Sequence, residues 1–223
     1  MNNVPESDVE GEMKVAIFGS TRGTGRIMVG KALDRGWDVT AAARSPSALP
    51  WRQERLRVAE ANVMRPESLD AVVEGQDAVI TSVSVGSGLK EGRKPTTLFS
   101  EGTRNIIAAM KKQGVGRLVC LSSSAVEPDP ALGILFGKIM RPLLFKEMYE
   151  DMSRMEREVR HSALEWVIVR PSTLTDEPAE GKYILGIDRI PKGWRIPREE
   201  VAEFALDQLE NERYLGRSIA MTT

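Results

Sequence analysis

The stretch AIFGSTRGTGR, residues 16–26, decides the fold. Apolar residues lead into a loop with three glycines, and an amphipathic helical pattern follows. A strand that runs through a glycine-rich turn into a helix is typical of a dinucleotide-binding unit, because the turn's N–H groups and the positive helix end attract phosphate. We assign Gly19 to a turn with positive φ, Gly23 to close approach of a pyrophosphate, and Gly25 to tight packing of the helix on the strand.

Short apolar runs alternate with amphipathic runs along the rest of the chain. Strands are predicted at residues 13–19, 38–44, 56–62, 77–85, 116–124, 165–171 and 217–223. Helices are predicted at residues 26–36, 66–76, 96–114, about 142–160 and 197–211. Several of these strands are apolar without alternation, as strands buried on both faces are. The predicted fold class is therefore α/β: a single doubly wound Rossmann-type domain with a mostly parallel sheet of about seven strands and helices on both faces.

The N-terminal residues 1–12 are polar and acidic, and they predict a disordered tail before one domain over residues 13–223. Nothing in this tail resembles a signal or transit peptide. No window approaches the ~18 apolar residues that a membrane span needs. We therefore expect a cytoplasmic protein that does not bind membranes.

Charge and composition exclude several other classes of function. The chain has 31 Lys and Arg against 32 Asp and Glu, which gives a net charge of −1 and no basic surplus for nucleic acid. Its only cysteine is Cys120 and its only histidine is His161, so neither an intramolecular disulfide nor a Cys- or His-rich metal site is predicted. The expected partner is a small molecule, and the expected assembly is a monomer or a weak homo-oligomer.

Four further segments narrow the family. They are GQDAVI (75–80), SEGTRNIIAAMKKQGV (100–115), VIVRPSTLTDEP (167–178) and GKY (181–183). With the spacing G-x-x-x-G-x-G of the first loop, they resemble the atypical short-chain dehydrogenases/reductases, and most of all the flavin reductase/biliverdin reductase B type. The resemblance extends from Met13 to the C-terminus. It implies one Rossmann domain with a small substrate lid, and hydride transfer from NAD(P)H to a flavin, tetrapyrrole, quinone or related conjugated acceptor.

The residues at the end of the second strand predict which dinucleotide is bound. Arg44 stands 19 positions after Gly25, where an acidic residue would bind the adenosine ribose 2′-hydroxyl and repel a 2′-phosphate. Here Arg44 is followed by Ser45, and Arg22 in the glycine loop supplies a second guanidinium. Two such groups near one site favour a dianionic phosphate, so the sequence predicts NADP(H) over NAD(H).

The resemblance implies the remaining cofactor contacts. Asn62 and Val63 stand where the family often has Asp-Val beside the adenine, and an Asn can still accept the adenine amino hydrogen. The other residues implied to line the dinucleotide are Ser20, Thr21, Thr24, Val83, Ser84, Gly86, Ser122, Pro171, Ser172 and Thr173.

The catalytic position is where this sequence departs from most short-chain dehydrogenases. No Tyr-x-x-x-Lys pair is present; the resemblance places Met148 and Met152 at those two positions. Tyr149 is one residue off and is expected to point roughly 100° away on an α-helix. The two methionines pack in the core or form a soft wall for a flat conjugated substrate. Ser123 is the candidate catalytic residue, which would orient substrate or relay a proton, unless it only caps the end of its strand.

These patterns together predict an NADPH-dependent reductase of a conjugated small molecule, with hydride transfer that depends mainly on positioning. The alternative is a non-catalytic NADP(H)-sensing module of the NmrA-like type, which shares the fold and lacks the Tyr-Lys pair. An epimerase or dehydratase acting on nucleotide sugars is a third reading, which the missing Tyr-Lys pair disfavours.

Overall fold

The computed structural model of the chain describes residues 13–85, 94–127, 143 and 145–223. The tail expected at residues 1–12 and the cofactor contact expected at Gly86 lie outside the described residues.

The described residues form two sheets. The strands are β1 (Lys14–Phe18), β2 (Asp38–Ala43), β3 (Leu56–Glu60), β4 (Ala78–Thr81), β5 (Arg117–Leu121), β6 (Glu165–Pro171), β7 (Thr173–Thr175), β8 (Ile184–Ile187), β9 (Arg195–Pro197) and β10 (Arg217–Thr222). The larger sheet has the order β3-β2-β1-β4-β5-β6-β10-β8. Its neighbours are parallel except β10 and β8, which are antiparallel. All seven predicted strands lie in this sheet, which confirms the fold class.

We predicted about seven strands, whereas the larger sheet has eight. The prediction missed β8, an antiparallel edge strand of four residues in which two isoleucines are exposed. It also missed the separate sheet in which β7 pairs in parallel with β9. All three strands are three or four residues long, too short to show a periodic pattern in the sequence.

Helices cover both faces of the sheet. They are α1 (Gly23–Asp34), α2 (Asp70–Val73), α3 (Leu98–Gln113), α4 (Lys146–Arg160) and α5 (Arg198–Glu210). On one face, Met28 of α1 and Leu206 of α5 belong to the same buried cluster. On the other face, Met110 of α3 and Val159 of α4 belong to a second cluster. Among the described residues, no helix combines the length and the apolar character needed to cross a bilayer.

The order of the strands fixes where a ligand can enter. The chain runs from β1 outward to β2 and β3, and then returns to β4 on the other side of β1, so that Val15 pairs with both Val39 and Ala78. Connections therefore leave the carboxyl ends of β1 and β4 in opposite directions. A crevice forms at such a switch point, and open α/β sheets bind their ligands there.

Two glycines let the loop after β1 fit into this crevice. Gly19 has φ +81°, and a Cβ at this position would lie 2.2 Å from the carbonyl oxygen of Ser82. A Cβ on Gly25 would lie 2.2 Å from the carbonyl oxygen of Gly19. These contacts confirm the roles predicted for Gly19 in the turn and for Gly25 in the packing of α1.

Gly25→Ala should therefore destabilise the fold by about 1–3 kcal/mol, the usual cost of overpacking. Gly30→Ala is the matched control, because Gly30 lies in the same helix and a Cβ there meets nothing within 4 Å. That control should leave stability unchanged or raise it by up to ~1 kcal/mol through helix propensity. Urea unfolding of both variants measures the difference, and equal free energies of unfolding would contradict the close approach described for Gly25.

Candidate functional site

A groove occupies the switch point between β1 and β4. The loop after β1 forms its floor, and the ends of the neighbouring strands form its walls. Predicted cofactor residues that line it are Gly19, Thr21, Arg22, Arg44, Val63, Val83 and Ser84. The structure thus brings together residues that lie up to 65 positions apart in the sequence, from Gly19 to Ser84.

The end of the groove over α1 fits a phosphate. The N-cap residue Arg22 makes no side-chain capping hydrogen bond, and the first turn of α1 contains no acidic residue. The first N–H groups of a helix lack partners within it and carry partial positive charge. The hydroxyl of Thr24 is buried without a hydrogen-bond partner within the described ranges. Gly23, with φ +53°, adds no side chain of its own beside these donors. A pyrophosphate would satisfy these donors.

The groove is also basic. Arg22 and Arg44 are both exposed, and neither forms an ion pair with any residue that the structure describes. No acidic side chain is among the described residues that line the groove. Ser45 lies beside Arg44, exposed at the start of a short 3₁₀ turn.

Two predicted contacts on the loops after β1 and β3 have side chains that are engaged within the protein. The hydroxyl of Ser20 is fully buried and donates to the carbonyl of Ala42 at 2.8 Å, so it ties the glycine loop to β2. The side-chain oxygen of Asn62 accepts from the N–H of Met64 at 3.0 Å and shapes the turn after β3.

A cleft and a cavity continue from the groove along the ends of β5 and β6. The cavity has a volume of about 540 Å³, within the ~300–1,000 Å³ range of ligand pockets. Its walls carry three aromatic side chains, Phe145, Tyr149 and Trp194. Of the other predicted residues, Ser122, Pro171, Ser172 and Thr173 also line it. The cleft joins the cavity to the groove and shares Val83 and Ser84 with the latter.

The first turns of α4 form one wall of the cleft. Met148 and Met152 line it, whereas Met155 is buried beneath against Cys120. The expectation that Tyr149 turns away is wrong. Tyr149 is 8% exposed and lines both the cleft and the cavity. The two spaces extend around this end of α4, so adjacent residues 148 and 149 both face a ligand space despite the angle between them.

Ser123 lies where the cleft and the cavity meet. Its hydroxyl oxygen accepts from the N–H of Ala125 at 3.2 Å and caps the 3₁₀ turn Ser124–Val126. The capping role is therefore present in the structure. The hydroxyl keeps its own hydrogen for donation to a ligand, because the cap uses only its oxygen as acceptor.

The family model described as NAD(P)H-binding matches residues 19–212 of the chain. The chain belongs to this NAD(P)H-binding family. That assignment confirms the predicted class of cofactor. The matched residues 19–212 include the glycine loop, the residues that line the cleft, and α5, so every site residue named above lies within the match.

The chain is also similar to two curated proteins and one solved structure. The chain is 28% identical over 210 residues to Uncharacterized protein At2g34460, chloroplastic, of Arabidopsis thaliana, covering 89% of the chain and 72% of that protein. It is 27% identical over 175 residues to Divinyl chlorophyllide a 8-vinyl-reductase, chloroplastic, of the same plant. That match covers 72% of the chain and 39% of the plant protein. A short-chain dehydrogenase/reductase from Veillonella parvula DSM 2008, solved in complex with NADP, has the same fold, with a TM-score of 0.74 at 19% identity. The superposition covers 95% of this chain and 94% of the Veillonella chain. Because two relatives are described as chloroplastic, a cytoplasmic location stays a prediction.

A buried ionic cluster behind the cleft was not predicted from the sequence. Glu156 of this NAD(P)H-binding protein is 1% exposed and accepts from the hydroxyl of Ser122 at 2.7 Å and from Nε of Arg170 at 2.8 Å. Arg170 also pairs with Glu127, and Arg160 pairs with Glu156. Such a cluster fixes the ends of β5 and β6 beside the cavity. Its signal in the sequence is a glutamate on the methionine-rich face of α4, eight residues after Met148.

The thiol of Cys120 is not reactive. Burial raises the pKa of the Cys120 thiol to about 12, so it stays neutral at physiological pH and is not a nucleophile. Within the described ranges, no group of three or more His, Cys, Asp and Glu side chains is placed to hold a metal ion.

Proposed function

We propose that this protein is an NADPH-dependent reductase that transfers hydride to a conjugated small-molecule acceptor of the flavin, quinone-like or tetrapyrrole class. The observation that carries the proposal is the cleft that joins the dinucleotide groove to the large aromatic-walled cavity. Flat apolar rings fit between methionine and aromatic side chains. The cleft opens on both spaces, so a nicotinamide there would face an acceptor in the cavity.

The preference for NADPH over NADH rests on two arginines that line the groove. Arg22 and Arg44 approach it from two neighbouring loops and are not neutralised by an acid of the described chain. A dianionic 2′-phosphate gains charge-assisted hydrogen bonds from two guanidinium groups, and a ribose hydroxyl gains much less.

The protein's contribution to the reaction is positioning. The bound cofactor supplies the hydride. The N-terminus of α1 and the hydroxyl of Thr24 would hold its phosphates, and Met148 and Met152 would exclude water from the cleft. The hydroxyl of Ser123 orients the acceptor or donates a proton to it. Tyr149 has Ser153, and no lysine, one turn later on α4, so no ammonium group adjoins its hydroxyl from that position. The arrangement suits an acceptor that is already electrophilic.

We propose the small sheet of β7 and β9 as the substrate lid. Thr173 and Leu174 of β7 and Trp194, which immediately precedes β9, all line the cavity. Trp194 is 67% exposed, as expected for an aromatic side chain that becomes buried when a ligand binds.

Arg44→Ala should weaken NADPH binding about 10- to 150-fold, because one charge-assisted contact is worth about 1.5–3 kcal/mol. NADH binding should change little. Arg157→Ala, which removes an exposed guanidinium from the last turn of α4, is the control for net charge. Calorimetric titration of each variant with both dinucleotides measures the effect. Equal losses of NADPH and NADH affinity in Arg44→Ala would refute the assignment of the 2′-phosphate to the neighbourhood of Arg44.

Ser123→Ala should lower kcat about 10- to 100-fold, at or below the low end of the ~10²–10⁴-fold that general acid–base help provides. Tyr149→Phe should keep kcat within about 10-fold, because the residue one turn later on α4 is Ser153 and not the lysine of a Tyr-x-x-x-Lys pair. The measurement is NADPH oxidation against pH with a flavin, a naphthoquinone and a linear tetrapyrrole. The wild-type profile should lack a sharp bell shape, since no tuned acid and base pair controls turnover.

A loss above ~10⁴-fold in Tyr149→Phe would make this tyrosine the proton donor and contradict the proposed mechanism. Tight binding of NADP(H) without turnover of any acceptor, together with capture of a protein partner, would instead establish the sensing module.

A further inference from the structure

Arg198 is a basic residue of the site that the sequence did not reveal. It is the first residue of α5 and directly follows β9. Its side chain lies against the glycine loop: a Cβ built on Gly23 would be 3.5 Å from its Nε and 3.8 Å from its Cδ. It also lines the cavity beside Ser172 and Thr173. Arg198 thus stands between the start of α1 and the cavity.

The partner of Arg198 holds it only weakly. Nη1 of Arg198 lies 2.8 Å from Oδ1 of Asp176, the residue that follows β7. The Asp176 side chain is 88% exposed and that of Arg198 is 26% exposed. An ion pair with so exposed a partner contributes little, because water screens it. The guanidinium is therefore available to an anion that binds beside Gly23.

The position of Arg198 identifies that anion by its chemistry. The unpaired donors of the site, the N-terminus of α1 and the hydroxyl of Thr24, adjoin Gly23. The exposed guanidinium groups of Arg22 and Arg44 line the groove, and Arg198 does not. In a dinucleotide that extends from the groove into the cleft, the group that passes Gly23 is the pyrophosphate.

We propose that Arg198 binds the pyrophosphate of the dinucleotide and exchanges the carboxylate of Asp176 for phosphate oxygens. The planar guanidinium is suited to bidentate contact with phosphate. The contact serves NADP(H) and NAD(H) equally, because both contain the pyrophosphate. The exchange also couples cofactor binding to the small sheet, since it releases Asp176 at the end of β7. The inference rests on the dinucleotide binding of the family and is independent of the acceptor.

The test compares two variants that break the same ion pair. Arg198→Met removes the charge and keeps much of the aliphatic stem, whereas Asp176→Asn leaves Arg198 in place. Calorimetry with NADP⁺ and NAD⁺ should show Arg198→Met weakening both by a similar factor, about 10- to 100-fold. Asp176→Asn should keep or tighten both affinities. Circular dichroism checks that each variant is folded.

Three results would overturn the proposal. Unchanged affinities in Arg198→Met would show that the guanidinium contacts something other than the cofactor. Loss of NADP⁺ affinity alone would assign Arg198 to the 2′-phosphate. An equal loss in Asp176→Asn would show that the ion pair acts only by holding the loops in place.

A measurement on the wild-type protein does not depend on the folding of the variants. Phenylglyoxal modifies accessible arginine side chains, and mass spectrometry identifies the modified residue. Saturating NADP⁺ and saturating NAD⁺ should each protect Arg198, at least 10-fold in rate. Modification of Arg198 at the same rate with and without dinucleotide would contradict the proposed contact.

Discussion

The close approach of backbone to backbone around the glycine loop is the constraint on which the rest of the site depends. The positions where Cβ atoms of residues 19 and 25 would stand are occupied by carbonyl groups of Ser82 and Gly19. Because those side chains are absent, β1 can turn at once into α1 beside the end of β4. The N-terminus of α1 then points into the switch-point groove, where its unpaired N–H groups are available to an anion. A bulkier loop would displace the helix and close the groove.

Two buried carboxylates hold the walls of the site in relation to this loop. Asp151 of α4 is fully buried and accepts from the N–H of Phe99 at 2.9 Å, so one helix caps the N-terminus of another. Glu156, further along α4, binds Ser122 and Arg170. Both anchors are on the helix that supplies the methionine wall. Removing one partner of a buried ion pair such as Glu156–Arg170 typically lowers the free energy of unfolding by ~3–5 kcal/mol. The methionine wall is therefore held in place strongly.

The sequence was sufficient for the parts of the fold that depend on local patterns. The periodicity of apolar residues predicted the strands that are buried on both faces and the helices that have one apolar face. The characteristic spacing of the glycines predicted the roles of Gly19 and Gly25. The pattern could not show that Ser20 turns inward to Ala42, since nothing local distinguishes its hydroxyl from that of Thr21. The orientation of Tyr149 depends on how far the cavity extends around α4, which is a tertiary property. Arg198 lies 175 positions from Gly23 in the sequence and meets it only through the packing of α5 on α1.

The central claim is that the groove, cleft and cavity form one continuous site for a dinucleotide and its acceptor. Amide chemical shifts in ¹H–¹⁵N spectra, recorded as NADP⁺ is added, test it most directly. The largest shifts should fall on residues 19–25, on Arg44 and Ser84, and on Ser122 and Ser123, and all of them should saturate at one common Kd. Shifts confined to the glycine loop would show that the nicotinamide does not reach the cleft. The absence of shifts at residues 19–25 would contradict the account as a whole.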